Sequence, residues 1–448
     1  MMADTLRNAN LDSAVADARE RYTAANRKSF SRHEDAKRSL PGGNTRSVLW
    51  YDPFPVALAE GRGCTVTDID GHAYTDFVSE YSAGLYGHSD PLIAEAIIGV
   101  VRNGIALGGP NLYEARLAEE LVARFPALDR VRFCNSGTEA NIMALSAARA
   151  VTGRDRIVVF REGYHGGVLT FAHGGSELNI PFPYLFADYN DVDGTEALLL
   201  AHKDTIAAVI LEQMLGGGGC IRASDAFLAM LRRVTSQIGA LLIFDEVMTS
   251  RLDFGGMQSV TGVTPDLMTL GKYVGGGASF GAFGGRADLM DRFDPVSPGA
   301  FSHGGTFNNN IISMAAGYTG LTKVLTREAS GRFNALGESL KTKLQARIDA
   351  HGIAASVVGY GSLIALHFLP LDAVTPHAVE SVDKRYGHLW HLEMMLAGQY
   401  VTPRGMIALA LPHTENDVDG LVSACDRFLS DYAAILPKAI ALAKVAAA

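Results

Sequence analysis

A lysine that ends an apolar run and opens onto glycines is a candidate nucleophile. Lys272 is such a residue: it follows the strand-like "LMTLG" and precedes Gly275, Gly276 and Gly277 in "LGKYVGGG". Crowded by apolar walls and cations, its amine can lose the proton and act as a nucleophile. The plain alternative is a solvated lysine at a strand end. The "GK" is not a phosphate-binding P-loop, because G-x-x-x-x-G-K-[ST] needs glycine where Asp266 stands and Ser or Thr where Tyr273 stands. No G-x-G-x-x-G follows the first strand, so a dinucleotide site is not indicated either.

Acids come next. In "LLIFDEVMTSR" four apolar residues run into Asp245 and Glu246. A strand reaching the surface would explain that. So would a ligand, because parallel sheets collect ligands at the carboxyl ends of their strands. On a strand Asp245 and Val247 share one face and Glu246 takes the other. After "RVRFC", the segment "NSGTEA" places Ser136 and Glu139 at the S-x-x-E capping spacing. A helix start carrying Ser136, Gly137 and Thr138 offers free N–H groups, two hydroxyls and a favourable dipole, which suits a phosphate; an ordinary capped helix has the same pattern. After "RIVVF", Tyr164 sits among glycines in "REGYHGG", either as a surface turn or as a ring lying flat on a ring-shaped ligand. His165 beside it reads as structural. After "IAAVILE", Glu212 meets the four glycines of "QMLGGGGC", which is a flexible loop or a close approach of backbone to a ligand.

The elements that must position these residues are strands alternating with helices. Strands are predicted at 130–134, 156–160, 206–212, 241–247 and 267–271. Helical patterns such as "ANIMALSAARAV" and "DAFLAMLRRVTSQ" lie between them. Such alternation implies a parallel sheet with helices on its faces. Residues 75–325 therefore read as one large α/β domain. Residues 1–74 and 326–448 carry helices and short strands, neither flank with a core of its own, so together they are expected to form one smaller domain. The tail "AAILPKAIALAKVAAA" reads as a surface helix.

One cofactor uses all of these pieces. Pyridoxal 5'-phosphate needs a lysine for its aldehyde, an anion site for its phosphate, an acid for its pyridine nitrogen and walls for its ring. Lys272, Ser136 to Thr138, Asp245, and Tyr164 with Val247 supply the four. Asp245 would hold a proton on the pyridinium and so make the ring an electron sink.

The 448 residues are 48% hydrophobic with a formal net charge of -9, enough for a large core and more than one domain. Without a basic stripe or nucleic-acid motif, nucleic acid is not the expected partner. Cys64, Cys134, Cys220 and Cys425 are scattered and form no C-x-x-C pair, which fits a reducing compartment and gives no metal signature. The polar start lacks the apolar stretch of a signal peptide, and no run is long enough to span a bilayer. A soluble cytoplasmic protein is expected.

"NSGTEAN", "YHGG", "LLIFDEVMTSR", "TPDLMTLGKYVGGG" and "GAFGGRADLM" resemble the class III aminotransferases of pyridoxal-phosphate fold type I. The resemblance runs from "LPGGN" to "TPRGMIALALP". It implies a homodimer with active sites at the subunit interface, Lys272 as the Schiff-base lysine, Asp245 as the pyridinium partner, Tyr164 as the stacking ring and Glu212 among the cofactor-binding residues. Thr306, in "GGTFNNN", would reach the phosphate of the neighbouring subunit. Two branches compete. "DEVMTSR" to "GGRADLM" is similar to glutamate-1-semialdehyde 2,1-aminomutase, which usually shows a different segment after the Gly-Thr, ending in Gly-Asn-Pro, where this chain has "GTFNNN". "NTRSVLWYDPFP", "GTFNNN" and "TPRG" are similar to bacterial β-amino-acid aminotransferases, notably those acting on β-phenylalanine, and this is the favoured branch. The implied chemistry is transfer of an amino group from a β-amino acid to a 2-oxo acid such as 2-oxoglutarate or pyruvate, with Lys272 taking the proton from the amine-bearing carbon. Arg46 and Arg404 match the positions that bind substrate carboxylates. A non-catalytic, cofactor-binding regulator is the remaining alternative, and no DNA-binding appendage accompanies it.

Overall fold

The computed structural model describes residues 10–439. Two compact units make up the chain: Ser82–Tyr86 with Asp90–Asn334, and Met1–Tyr81 with Gly87–Ser89 and Ala335–Ala448. The sequence pattern changes at 74/75 and 325/326, whereas the units divide mainly at Tyr81/Ser82 and Asn334/Ala335.

The larger unit is α/β. Its sheet has seven strands: β1 (Arg130–Cys134), β2 (Arg156–Phe160), β3 (Tyr184–Ala187), β4 (Ile206–Leu211), β5 (Leu241–Asp245), β6 (Leu267–Gly271) and β7 (Gly281–Gly285). Their spatial order is β1-β7-β6-β5-β4-β2-β3. β7 runs antiparallel to both neighbours, and the remaining pairs are parallel. Helices cover both faces, so the strands are apolar without alternation. On one face the helix Gly137–Thr152 packs Ala140, Ala144, Leu145 and Ala148 against Ile157, Val159, Ile210 and Ile243. On the other, the helix Asp225–Ile238 packs Phe227, Leu231 and Val234 against Val158, Val209, Leu242 and Phe244.

β4 and β5 stop at Leu211 and Asp245, short of the predicted 212 and 247. Two strands escape prediction. β3 is four residues at the sheet edge. β7 has the composition of a loop, "GAFGG", because glycine disfavours strands unless backbone must come close. Here it must: a Cβ on Gly281 would lie 2.1 Å from the carbonyl oxygen of Ser136.

The second unit has a four-stranded sheet from Leu58–Arg62, Thr65–Asp68, Ala73–Asp76 and Gln399–Tyr400. A three-stranded antiparallel sheet comes from Ser356–Tyr360, Leu363–His367 and Met406–Ala408. The last helix, Glu415–Asp431, is capped by Thr414 and ends before the tail. The expected tail helix is not found as far as Ala439. Pro437 has no N–H to give a helix and restricts the residue before it, and Lys438 instead bridges to Ile353. The rest of that tail lies outside the described residues. Among the described residues no helix is long and apolar enough to cross a membrane.

Candidate active site

The carboxyl ends of β1, β2, β4, β5 and β6 share one edge of the sheet, and the chemistry-bearing residues follow those ends. Asp245 closes β5 with its side chain 4% exposed. Its Oδ2 accepts from Asn141 Nδ2 and from His165 Nδ1, both at 2.8 Å. Its Oδ1 accepts from the Val247 N–H at 3.0 Å. Because a carboxylate can only accept, the His165 proton sits on Nδ1. Thr269, on β6, donates to Asn141 Oδ1 at 2.6 Å, and Asn141 also donates to the His165 carbonyl at 2.9 Å. A buried carboxylate costs several kcal/mol to desolvate; donors from a helix, a loop and its own strand end offset that cost.

Glu246 turns the other way, as strand alternation requires. Its carboxylate accepts from the backbone N–H groups of Met257 (2.8 Å) and Gln258 (3.0 Å). Burial pushes this carboxyl up to about 7. Val247 wedges between neighbours: its Cγ2 lies 2.8 Å from where a Cβ on Gly137 would stand. Only glycine at 137 lets the helix start come this near β5.

Lys272 is the first residue after β6, and its φ of 55° is left-handed. For a residue with a Cβ that conformation costs on the order of 1–2 kcal/mol. Its Nζ lies 3.0 Å from Ser82 Oγ.

The helix start is built from local chemistry. Ser136 Oγ accepts from the Glu139 N–H at 3.1 Å. Glu139 does not complete the expected capping box; its carboxylate takes the N–H of Asn135 at 2.8 Å, one residue earlier. The first intrahelical bond is Ala140 N–H to Ser136 O at 3.0 Å, so the N–H groups of Gly137 and Thr138 precede the helical ladder and face outward along the dipole. Thr138 Oγ1 accepts from the Gly167 N–H at 3.3 Å, which ties this start to the "YHGG" loop.

Glu212 joins two loops. It accepts from the Tyr164 N–H at 3.0 Å and from the Gly216 N–H at 2.9 Å. Burial, aided by the neighbouring Asp245 charge, raises its carboxyl to about 7. Tyr164 itself is 49% exposed. Thr306 lies on an exposed turn whose asparagines are anchored. Asn308 accepts from Asn135 at 2.9 Å, Asn309 donates to Glu114 at 3.0 Å, and Asn310 caps the helix Ile311–Thr319.

Arg46 and Arg404 belong to the other unit, where they meet around one ring. Their guanidinium carbons lie 5.5 Å and 5.3 Å from the Tyr81 ring centroid. Arg46 also pairs with Glu80. Burial raises the Tyr81 phenol above its ordinary value, and both arginines oppose that rise. Ser79, Glu80, Tyr81 and Ser82 all have positive φ, a left-handed run of four non-glycine residues.

An amine and a buried carboxylate at the ends of adjacent strands, with an open helix start near them, can bind an anionic aldehyde and stabilise charge on its ring. Comparison with known proteins agrees: residues 47–385 match the family described as aminotransferase class-III. The chain belongs to the class III aminotransferases. A beta-phenylalanine transaminase of Variovorax paradoxus is 48% identical over 432 residues, 96% of this chain and 99% of that one. A glutamate-1-semialdehyde 2,1-aminomutase of Thermomicrobium roseum is 35% identical over 418 residues, 89% of this chain and 97% of that one. Among solved structures, a beta-phenylalanine aminotransferase from Variovorax paradoxus superposes with a TM-score of 0.94 at 48% identity, covering 96% of this chain and all (100%) of that one. A transaminase with PLP bound superposes with a TM-score of 0.82 at 29% identity, covering 91% and 98%.

In this aminotransferase Ser136, Gly137, Thr138, Tyr164, Glu212, Asp245, Val247 and Lys272 gather at one sheet edge. Thr306 follows on its turn, while Arg46 and Arg404 form a separate pair. Asn141, Thr269, Ser82 and Tyr81 were not foreseen, and His165, read as structural, is a buried donor to Asp245. His165 had one available signal, its place in "YHGG" just after a strand.

Proposed function

We propose that this aminotransferase holds pyridoxal 5'-phosphate and moves the amino group of an aromatic, β-phenylalanine-like β-amino acid to a 2-oxo acid such as 2-oxoglutarate or pyruvate. One observation carries it: Lys272 and the buried Asp245–His165–Asn141 network stand at the ends of adjacent strands, near an open helix start. The residues fit the cofactor. Gly137 and Thr138 N–H groups and the Ser136 and Thr138 hydroxyls suit its phosphate. Asp245, buried and hydrogen-bonded to its donors, suits a protonated pyridine nitrogen. Val247 and Tyr164 suit the ring faces. When bound, the cofactor supplies an aldehyde for the amine and an electron-deficient ring for the charge left by proton loss.

The chain's own residues do the rest. Lys272 takes the proton from the amine-bearing carbon of the substrate and later returns one. Asn141 and His165 hold Asp245 in place. Arg46 receives the carboxylate of the β-amino acid; Arg404 takes part when the 2-oxo acid binds. The similarity to the Variovorax paradoxus transaminase supports β-phenylalanine as the donor class. The mutase reading is weaker, because the segment "GTFNNN" departs from the aminomutase pattern and the Thermomicrobium roseum aminomutase is 35% identical against 48% for the Variovorax paradoxus transaminase. Thr306 is proposed to reach the phosphate held by a second copy, giving a homodimer. The four cysteines, scattered and with no C-x-x-C pair among them, accord with the cytoplasm.

The test is spectroscopic. β-Phenylalanine added to the holoenzyme without acceptor should bleach the cofactor's visible band, and 2-oxoglutarate or pyruvate should restore it. Bleaching by glutamate-1-semialdehyde and not by β-phenylalanine would put the mutase first. Sedimentation of a monomer that is fully active would remove the shared-site dimer.

A further inference from the structure

Lys272 is proposed above as the proton carrier, and the inference here rests on that reading. We propose that Ser82 is a positioning residue for Lys272: its hydroxyl holds the amine in place, and a buried arginine locks the serine from behind.

Ser82 is fully buried, and its Oγ lies 3.0 Å from Lys272 Nζ. Both residues sit on left-handed backbone, with φ of 72° and 55°. Strained conformations at two residues that face each other persist only where the surroundings over-determine them. The surroundings here are polar and buried. Arg251 Nη1 donates to the Ser82 carbonyl at 2.9 Å. Arg251 is 1% exposed, with its guanidinium 5.2 Å from the Phe333 ring centroid. Asn334 Nδ2 donates to the Arg251 carbonyl at 3.1 Å and to the Ser330 carbonyl at the same distance. Burial lowers the guanidinium to about 9, which still leaves it charged at neutral pH.

The chemistry follows from the inventory of donors. A serine oxygen has two lone pairs and one hydrogen. It accepts from a charged Lys272 and so holds the ammonium. When the amine is neutral the contact persists, either as N–H to Oγ or as the hydroxyl O–H to the nitrogen lone pair, so Nζ stays beside the serine in both states. Ser82 thus keeps the amine nitrogen in one place. This shortens the search for a reacting geometry.

Two variants separate the hydroxyl from the backbone. Ser82→Ala removes the hydroxyl and keeps a Cβ at positive φ. Ser82→Gly removes the hydroxyl and relieves the conformation. For the hydroxyl role, both should slow the single-turnover half-reaction with β-phenylalanine about tenfold, the size of one lost hydrogen bond to a charged group. The isotope effect from deuterium on the amine-bearing carbon should rise in both. KM should move by under about twofold, since substrate binding is not what is lost. A second readout needs no cofactor: in the apoenzyme, labelling of Lys272 by trinitrobenzenesulfonate at neutral pH, followed by mass spectrometry, should quicken severalfold in both variants. A Ser82→Gly enzyme with wild-type rate and labelling would overturn the inference and assign the site to backbone strain. Lys272→Ala separates the two levels. If it stays active, the reading of Lys272 falls and Ser82 with it. If it is inactive while both Ser82 variants match wild type in rate and labelling, the Ser82 inference alone falls.

Discussion

Asp245→Asn tests the centre of the site because it keeps shape and removes charge. Asp245 accepts from Asn141 and His165 on one oxygen and from Val247 on the other. An amide must place its NH2 against one of those sets. Against Asn141 and His165 it meets two donors; against Val247 it meets one, so the second orientation is preferred. One buried hydrogen bond lost costs about 1–3 kcal/mol, which leaves the fold intact. The missing charge costs more, since removing one member of a buried ion pair is worth about 3–5 kcal/mol. At 1.36 kcal/mol per decade, turnover should fall about 10²- to 10⁴-fold. Urea unfolding of the apoenzyme measures the first number, and single-turnover decay of the visible band with β-phenylalanine measures the second. A variant that loses stability but transaminates at the wild-type rate would refute the pyridinium role. Cofactor affinity falling as far as the rate would show that Asp245 serves binding alone.

Other expectations follow from particular contacts. Arg46→Ala should cripple the half-reaction with β-phenylalanine, while Arg404→Ala should mainly impair the one with 2-oxoglutarate, by about 2–5 kcal/mol for a charge left unpaired; equal losses in both halves for both variants would defeat the division of labour. Glu212 has its carboxyl raised from 4.5 to about 7, so the folded chain keeps a proton that the unfolded chain has released, and stability falls as pH rises between those values. Glu212→Gln should flatten the stability–pH curve in that window, leaving the share of Glu246; an unchanged slope in urea titrations would remove Glu212 as its source. Gly281→Ala would set a Cβ 2.1 Å from the Ser136 carbonyl, where backbone cannot yield as a side chain could. The expected cost is about 1–3 kcal/mol with weaker cofactor binding, read by thermal unfolding and cofactor titration; wild-type values would mean that β7 does not hold the helix start.

What could be read directly from sequence was local. An apolar run ending in a polar residue announces a buried strand and its mouth, and that is how Lys272 and Asp245 became visible. Ser136 announced a helix start by composition and spacing, although which backbone N–H Glu139 takes depends on the path of the backbone before the helix. β7 stayed hidden because glycine lowers strand propensity, while its reason for being glycine lies in a neighbouring strand end.

The partners of those residues were decided by tertiary structure. Asn141 and Asp245 are 104 residues apart, and Ser82 and Lys272 are 190 apart. No periodicity links such positions. Strand order brings β5 and β6 side by side beneath the helix Gly137–Thr152, and only then do Asn141, Thr269 and Asp245 come within hydrogen-bonding reach. The same holds for Arg46 and Arg404 around Tyr81: each reads alone as a surface arginine. Hydrophobic patterning determines which segments are buried and what closes them, because burial follows side-chain type along the chain. Which buried polar groups satisfy one another is set by the crossings of the fold, because a hydrogen bond requires contact within about 3 Å and a directed donor.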